Sequence, residues 1–379
     1  MKTILFFISS TRHSCQNRLD GICRYAKGKD WHVQVVERAF HKVNVQQLLD
    51  FWKPIGVIAE CGSGADELKA DAFGNLPVVF FDADRSSRGP GFYIGSDARD
   101  IAGLAARHLL ALKLPHFAYA SFRIPIFWSR ERGVAFAAAL KQAGFACLQL
   151  ETVKELEPIN RQKAIRRFVA SLPRPCGIFA ANDLVAEEVL NACAQQGVSV
   201  PDEVAILGVD NDEAICENAN PSISSIAVDF EAGGYQAAEL LDELMMKPRS
   251  RSKTCIFPAV RVVTRQSTRR VACDPSRVAA ALEFIRRHAC AGIGVKDVVT
   301  EMGVPRRTAE LHFRSATGRS ILEEIDDVRF AKVFDLLRNP RQQLDAIPDL
   351  CGFSTGVALR KAFRLRTGMS MRDWRKRTD

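Results

Sequence analysis

No apolar run in this chain approaches the roughly 18 residues that a helix needs to cross a bilayer, so the sequence offers no membrane span. Met1-Lys2-Thr3 and the apolar residues 4–8 look superficially like a leader, but five apolar residues fall short. A secretory core runs to roughly 7–15, and no small-residue cleavage site follows. The stretch reads as the buried first strand of a cytoplasmic protein. Eleven cysteines form no CxxC pair and no Cys/His cluster at zinc spacing, so they read as reduced, mostly buried thiols. Walker and zinc-protease motifs are missing, and neither a cofactor nor a metal is expected. Three partial motifs fail in context. Gly352-Phe353-Ser354-Thr355-Gly356 spells a hydrolase elbow but follows a helical pattern rather than a strand. Gly62-Ser63-Gly64 lacks the further glycine of a dinucleotide loop, where Glu67 stands. Asp210-Asn211-Asp212 begins like a calcium loop, which Ala214 breaks. No nucleophile–base set is visible, so an enzyme is not the reading.

What the chain does have is length for two or three domains, 379 residues, and an uneven charge. The net charge is +9. Residues 261–379 hold 24 Lys and Arg against 14 Asp and Glu, a surplus of ten, which leaves everything before them close to neutral at about −1. A basic segment that meets a polyanion and a neutral segment that does not would give this asymmetry.

Over the first 260 residues short apolar runs alternate with helical patterns. Strands are expected at 3–8, 32–36, 56–59, 78–81, 92–94, 117–120, 177–180 and 204–209. Helices are expected at 98–112, 129–143, 159–172, 184–195 and 232–246. Such alternation makes βαβ units and parallel sheets, with a ligand crevice at the strand carboxyl ends. A break near residues 113–115 suggests two lobes with a cleft between them. Residues 247–253 look like a linker, but the apolar run over 254–263 returns to the α/β module, so the domain junction is placed at 264–274.

The series GIFAAND over residues 177–183 and GVSVPDEVAILGVDN over 197–211 resembles the ligand-binding core of lac-repressor-type regulators and periplasmic sugar-binding proteins. The resemblance covers roughly residues 1–265 and implies a two-lobed periplasmic-binding-protein-like sensor. A sugar presents a ring edged with hydroxyls, which charged forks and carboxylates grip in pairs while aromatic faces cover the ring. The resemblance carries Arg132, Asn182 and Asp210 over as ligand residues. Trp128 is either a stacking platform or packing between the lobes. Asp97, Asp183 and Asp202 read as caps of helices or turns. The loop after the first strand, residues 9–15, departs from the family. It lacks the aromatic pair that sandwiches a pentose, and its small and basic residues, Arg12 among them, suggest another sugar, a phosphorylated one, or a non-sugar.

The last third contains an internal repeat. Gly303, Phe313 and Gly318 recur as Gly352, Phe363 and Gly368, offset by 49–50 residues. Each copy places apolar positions at helical spacing before its first glycine: Val295, Val298, Val299 and Met302, then Leu344, Ile347, Leu350 and Cys351. A turn and a second helix follow, over 306–314 and 356–366, with one long helix over 321–337 between the copies. Helix, glycine turn and basic helix make a helix-turn-helix. The whole resembles the AraC/XylS-type DNA-binding domain over about residues 272–379, and the divisions drawn are sensor 1–265, linker 266–274 and DNA-binding domain 275–379. Departures are Ala309 for a leucine, Leu359 for an aromatic, Met371 for a proline, and Pro348, which is expected to interrupt the penultimate helix.

An α-helix fits the roughly 12 Å major groove, where exposed side chains of the second helix meet base edges. Those are Arg306, Arg307 and Glu310 in the first unit, and Thr355, Val357, Arg360 and Lys361 in the second. Arginine suits guanine, glutamate accepts from cytosine, and Val357 can meet a thymine methyl. Arg314, Arg364, Arg366, Arg375 and Lys376 read as phosphate contacts. The function expected is a transcription regulator, by resemblance an activator, whose partners are operator DNA, a small effector such as a sugar, a second copy of the chain, and RNA polymerase. A solute-binding receptor without DNA output is the rival, but it would have a leader and no basic C-terminal domain.

Overall fold

The first apolar run is strand β1 (Lys2–Ile8), and its residues 4–7 are wholly buried. Continuous burial, rather than alternation, is what a parallel sheet covered on both faces requires. The computed structural model describes residues 2–8, 12–37, 44–61, 68–84, 91–150, 158–247, 252–269 and 275–378. The chain divides into two units, Met1–Arg270 and Val271–Asp379.

In the first unit β1 is followed by α1 (His13–Lys27), β2 (Trp31–Glu37), α2 (Val45–Trp52), β3 (Gly56–Glu60), β4 (Val78–Phe81) and β5 (Phe92–Ser96). Next come α3 (Ala98–Ala111), β6 (His116–Ala120), α4 (Phe127–Gln142), β7 (Cys147–Gln149) and α5 (Pro158–Ser171). Then follow β8 (Cys176–Ala180), α6 (Asp183–Gln195), β9 (Val204–Val209), α7 (Glu213–Cys216), β10 (Ser224–Val228) and α8 (Phe230–Met246). Strands β11 (Lys253–Phe257) and β12 (Ala259–Val263) close the unit. One sheet has the order β11-β5-β4-β3-β1-β2 and the other β12-β10-β9-β8-β6-β7. Every pairing is parallel except β12 against β10.

The chain does not build one lobe and then the other. Helix α3 packs on α4 and on the second sheet, so the crossing comes at residues 96–98, ahead of the expected break at 113–115. After β10 the chain returns through residues 228–230 to place α8 on the first sheet, and residues 257–259 cross once more. Three connections therefore join the lobes. On the first lobe α1 and α8 touch backbone to backbone. A Cβ at Gly21 would stand 1.9 Å from the Glu231 carbonyl oxygen, and one at Gly234 would stand 2.0 Å from that of Arg18. Only glycine permits this approach. No disulfide links the cysteines of the described residues.

Residues 266–269, expected in the linker, belong to the second lobe. Ser267 and Thr268 are buried; Ser267 Oγ donates to the Ile206 carbonyl at 2.6 Å and accepts from Ser224 N at 2.8 Å. Three small hydroxyl side chains, Ser224, Ser267 and Thr268, fill a buried corner and carry no periodic apolar signature, which is why the segment resembled a linker.

The second unit is helical: α9 (Pro275–His288), α10 (Val295–Met302), α11 (Arg306–Thr317), α12 (Ile321–Leu337), α13 (Ile347–Leu350), α14 (Gly356–Thr367) and α15 (Met371–Thr378). It has two small cores. Val298, Met302, Ala309, Phe313, Ile321 and Ile325 are buried in the first; Phe330, Val333, Leu337, Ile347, Cys351, Leu359 and Phe363 in the second. Helix α12 feeds both, its first half one and its second half the other. Ala309 and Leu359 occupy equivalent, fully buried positions, so the departures noted there are changes of core volume. Pro348 does not interrupt a helix: it stands in the first turn of α13, where no intrahelical donor is needed. Gly303 and Gly352 take φ +63° and +74° in the two turns, and a Cβ on Gly352 would lie 2.6 Å from the Ala289 carbonyl oxygen.

Candidate effector cleft and DNA-reading helices

Side chains following β1, β4 and β5 of the first lobe and β6, β8 and β9 of the second line the crevice between the lobes. Carboxyl ends of parallel strands are where α/β folds bind ligands, because the connecting loops open there. Arg132, in the second turn of α4, is 4% exposed. Its Nη1 donates to the Ala181 carbonyl at 2.6 Å and its Nη2 to Ser96 Oγ at 3.3 Å. Its guanidinium lies 4.9 Å from the centre of the Trp128 ring, and Nε is buried without an acceptor among the described residues. Trp128 itself packs on Phe122 at 5.2 Å.

Asp210 directly follows β9, with its Oδ1 4.0 Å from Arg132 Nη1. It adopts φ +105° and Asn211 φ +53°. Two successive non-glycine residues in this region cost on the order of 1–3 kcal/mol each, and persist only where the surroundings over-determine them. Here the surroundings are explicit. Asp183 Oδ2 accepts from Asp212 N at 2.8 Å, and Asp183 Oδ1 accepts from Ser225 Oγ at 2.5 Å. Ser225 Oγ accepts from Asn211 N at 3.0 Å, and Arg265 Nη1 donates to Asn211 Oδ1 at 2.9 Å. Burial pushes the Asp210 carboxyl up to about 6, against the pull of Arg132 and Arg18. Burial, and then Asp210, hold Asp183 well above the usual carboxylate range.

Asp183 is therefore not the cap expected of it. Asn182 caps α6, its Oδ1 accepting from Val185 N at 3.1 Å, which leaves its amide nitrogen to the crevice. Asp97 is the N-cap of α3, accepting from Arg99 N and Asp100 N; Asp202 is buried before β9. Asp212 caps α7 through Ala214 N, and no group of residues suited to a metal ion occurs among the described residues. Arg12 precedes α1, into which residues 13–15 of the expected loop fall; residues 9–11, and the decoy glycines 62 and 64, lie outside the described residues. Arg12 lines the crevice beside Asn182 and Asp210. Its partial burial, and then Arg123, hold it below the usual arginine range.

Sequence reasoning missed the supports. Arg18 on α1 is buried between Glu60 at 2.8 Å and Asp82 at 2.5 Å, and stands over Phe81 and Phe230. Asp82 follows β4 as Asp210 follows β9, which is a signal that could have been read. Ser225 and Arg265 join the site only through tertiary contacts.

In the second unit Arg306, Arg307 and Arg314 are exposed on α11, with Glu310 half-buried among them. On α14, Val357, Arg360, Lys361 and Arg364 are exposed. Thr355 is exposed too, but its hydroxyl accepts from Ala358 N at 3.1 Å and caps the helix. Two expected phosphate contacts are otherwise engaged. Arg366 pairs with Asp327 at 2.5 Å and lies 4.7 Å from the Phe330 ring centre. Arg375 Nε donates to the Leu337 carbonyl at the end of α12. Lys376 is exposed.

The chain matches the periplasmic binding protein-like domain family over residues 106–268 and the helix-turn-helix domain family over 298–377. It is 30% identical over 351 residues to the xylose operon regulatory protein of Escherichia coli K12, covering 88% of this chain and 87% of that one. The chain belongs to the xylose operon regulatory protein family. The relative from Haemophilus influenzae is 26% identical over 75% of the chain. Among solved structures, that of the xylose-binding transcription activator xylR superposes with a TM-score of 0.62 at 24% identity, covering 99% of this chain and 97% of that one. A dimeric lac repressor superposes with a TM-score of 0.56 at 19% identity over 70% of the chain. As a family member the protein is a DNA-binding transcription regulator with an AraC-type reading domain, not an enzyme.

Proposed function

We propose that the protein switches transcription when a sugar binds in the crevice between the two lobes. The carrying observation is the facing pair Arg132 and Asp210, a fork of donors and a carboxylate acceptor 4.0 Å apart, with the Trp128 face against the guanidinium. Adjacent hydroxyls are gripped by such a pair, and Trp128, packed on both Phe122 and Arg132, orients the fork. Asn182 adds an amide donor. Arg12, from the first lobe, lines the same crevice beside Asn182 and Asp210. A ligand that also meets Arg12 therefore bridges the lobes, favours the closed arrangement and moves the equilibrium by its differential affinity for it.

DNA is read by α11 and α14. Arg306, Arg307, Glu310, Val357, Arg360 and Lys361 face base edges, Thr355 sets the start of α14, and Arg314, Arg364 and Lys376 hold phosphates. The chain works in the cytoplasm as a homodimer and as an activator that engages RNA polymerase. Coupling of this kind typically changes DNA affinity by about 5–150-fold.

The test is a thermal-shift screen of pentoses, hexoses and uronates, followed by retention on duplex DNA with and without the best ligand. Ligand binding raises the unfolding temperature by mass action. A sugar that stabilises the protein and alters DNA affinity supports the reading; no response to any sugar removes it.

A further inference from the structure

Among the described residues, two arginines at the crevice form no ion pair. Arg12, following β1, and Arg123, following β6, lie within electrostatic reach of one another, and neither guanidinium makes a hydrogen bond or ion pair with the described residues. The remaining cations are balanced: Arg18 by Glu60 and Asp82, Arg161 by Glu188, and Arg132 faces Asp210. Asp210 and Asp212 also attract Arg12, more weakly than burial and Arg123 act on it. Asp212 already caps α7.

Arg123 is held at the site by stacking. Its guanidinium lies 5.4 Å from the Phe122 ring centre, Phe122 meets Trp128 at 5.2 Å, and Trp128 carries Arg132 at 4.9 Å. The row Arg123, Phe122, Trp128, Arg132 is continuous, so the free charge belongs to the same wall as the residues assigned to the sugar. Beside this loop Arg161 is 5% exposed. Its Nη2 donates to the Ser121 carbonyl at 2.6 Å, while its Nη1 is buried with no acceptor among the described residues. Arg12 lines the crevice beside Asp183, Asp210 and Asp212, but Asp183 is held by Ser225 and Asp212 N, and Asp212 caps α7. Burial and the like charge of Arg123 therefore outweigh the aspartates' pull on Arg12, and an anion set between the two arginines relieves their repulsion. Guanidinium groups suit carboxylate and phosphate oxygens, which accept two donors at once.

We propose that the effector is an anionic sugar, carrying a carboxylate or a phosphate that Arg12 and Arg123 hold while Arg132 and Asp210 grip its hydroxyls. The proposal rests on the crevice being the sugar site. A neutral sugar would fill the hydroxyl contacts and leave the two arginines facing each other in a closing cleft.

The test is calorimetric titration of the full-length protein with two matched series: D-xylose, D-xylonate and D-xylose 5-phosphate, and D-glucose, D-glucuronate and D-glucose 6-phosphate. The expected result is an acid or phosphate that binds at least tenfold more tightly than its neutral parent. Preference for the acid or for the phosphate identifies which anion is used. Arg12→Gln and Arg123→Gln should each bring that anion to within about threefold of the neutral sugar. Both side chains are exposed, so the variants should fold, which an unchanged unfolding temperature without ligand verifies. A neutral sugar that binds as tightly as its anions, or a preference that survives both substitutions, overturns the proposal and leaves the sugar site standing. Binding of no member of either series overturns both.

Discussion

Arg132 Nη1 and Asp210 Oδ1 stand 4.0 Å apart, one on the second turn of α4 and the other just beyond β9. That is too far for a hydrogen bond and close enough for strong attraction in a buried setting. The carboxylate oxygens thus keep their acceptor capacity while Arg132 offsets part of the cost of burying their charge.

Asp210→Ala should abolish the response to effector and leave DNA retention without effector intact. The loss expected is at least 100-fold in ligand affinity, since a carboxylate gripping two hydroxyls contributes about 1.5–3 kcal/mol per hydrogen bond. Titration of the variant with the best sugar from the screen decides this, and an unchanged affinity would remove Asp210 from the site.

The position of Asp210 near pH 6 gives two opposite pH effects. Its ionised form is the hydroxyl acceptor, so effector affinity should be flat above pH 7 and fall as pH drops through about 6, by up to tenfold per unit. For folding the sign reverses. A carboxyl raised from its ordinary range to about 6 binds more protons folded than unfolded between roughly pH 4 and 6, so its contribution to stability declines as pH rises through that window. Affinity measured from pH 5 to 8 would show the first effect; a flat profile would mean that another group accepts the hydroxyls.

Arg307→Ala and Arg364→Ala should differ in kind. Arg307, at the start of α11, is expected to relax preference at one base pair at a cost of about 1–3 kcal/mol. Arg364, in the last turn of α14, should weaken all sequences alike and lower the salt slope by about one. Binding to a randomised operator set at several salt concentrations separates the two.

A fragment ending at Arg270 should fold and bind ligand, whereas one ending at Arg265 should be destabilised by several kcal/mol. The shorter fragment lacks Ser267 and Thr268, leaving Ser224 N and the Ile206 carbonyl without their partners. Each buried polar group left unsatisfied costs about 1–3 kcal/mol. Unfolding temperatures of the two fragments provide the comparison; equal values would make the corner dispensable.

Much of this was legible beforehand because periodicity reports burial directly. Strands such as β1 from residue 4 onward and β9 show no polar side chain, and α12 appeared in the sequence with the bounds it has in the structure. Legibility ended where a residue's role depends on a distant partner. Asp183 reads locally as a cap, and only the approach of Ser225 and Asp212 turns it into the clamp of a strained turn. Arg366 and Arg375 read as phosphate contacts from charge alone, yet Asp327 and the end of α12 claim them. The lobe crossing at residues 96–98 was missed because the helix after it has the same pattern whichever sheet it covers.

Helix α12 supplies Ile321 and Ile325 to one small core and Phe330, Val333 and Leu337 to the other. Neither half of the reading domain can melt without fraying the rod on which its twin is built, so the two ought to denature in a single transition. The same rod meters the rotational phase of the twins: at about 100° per residue, its residue count is as much a part of operator choice as any side chain that touches a base.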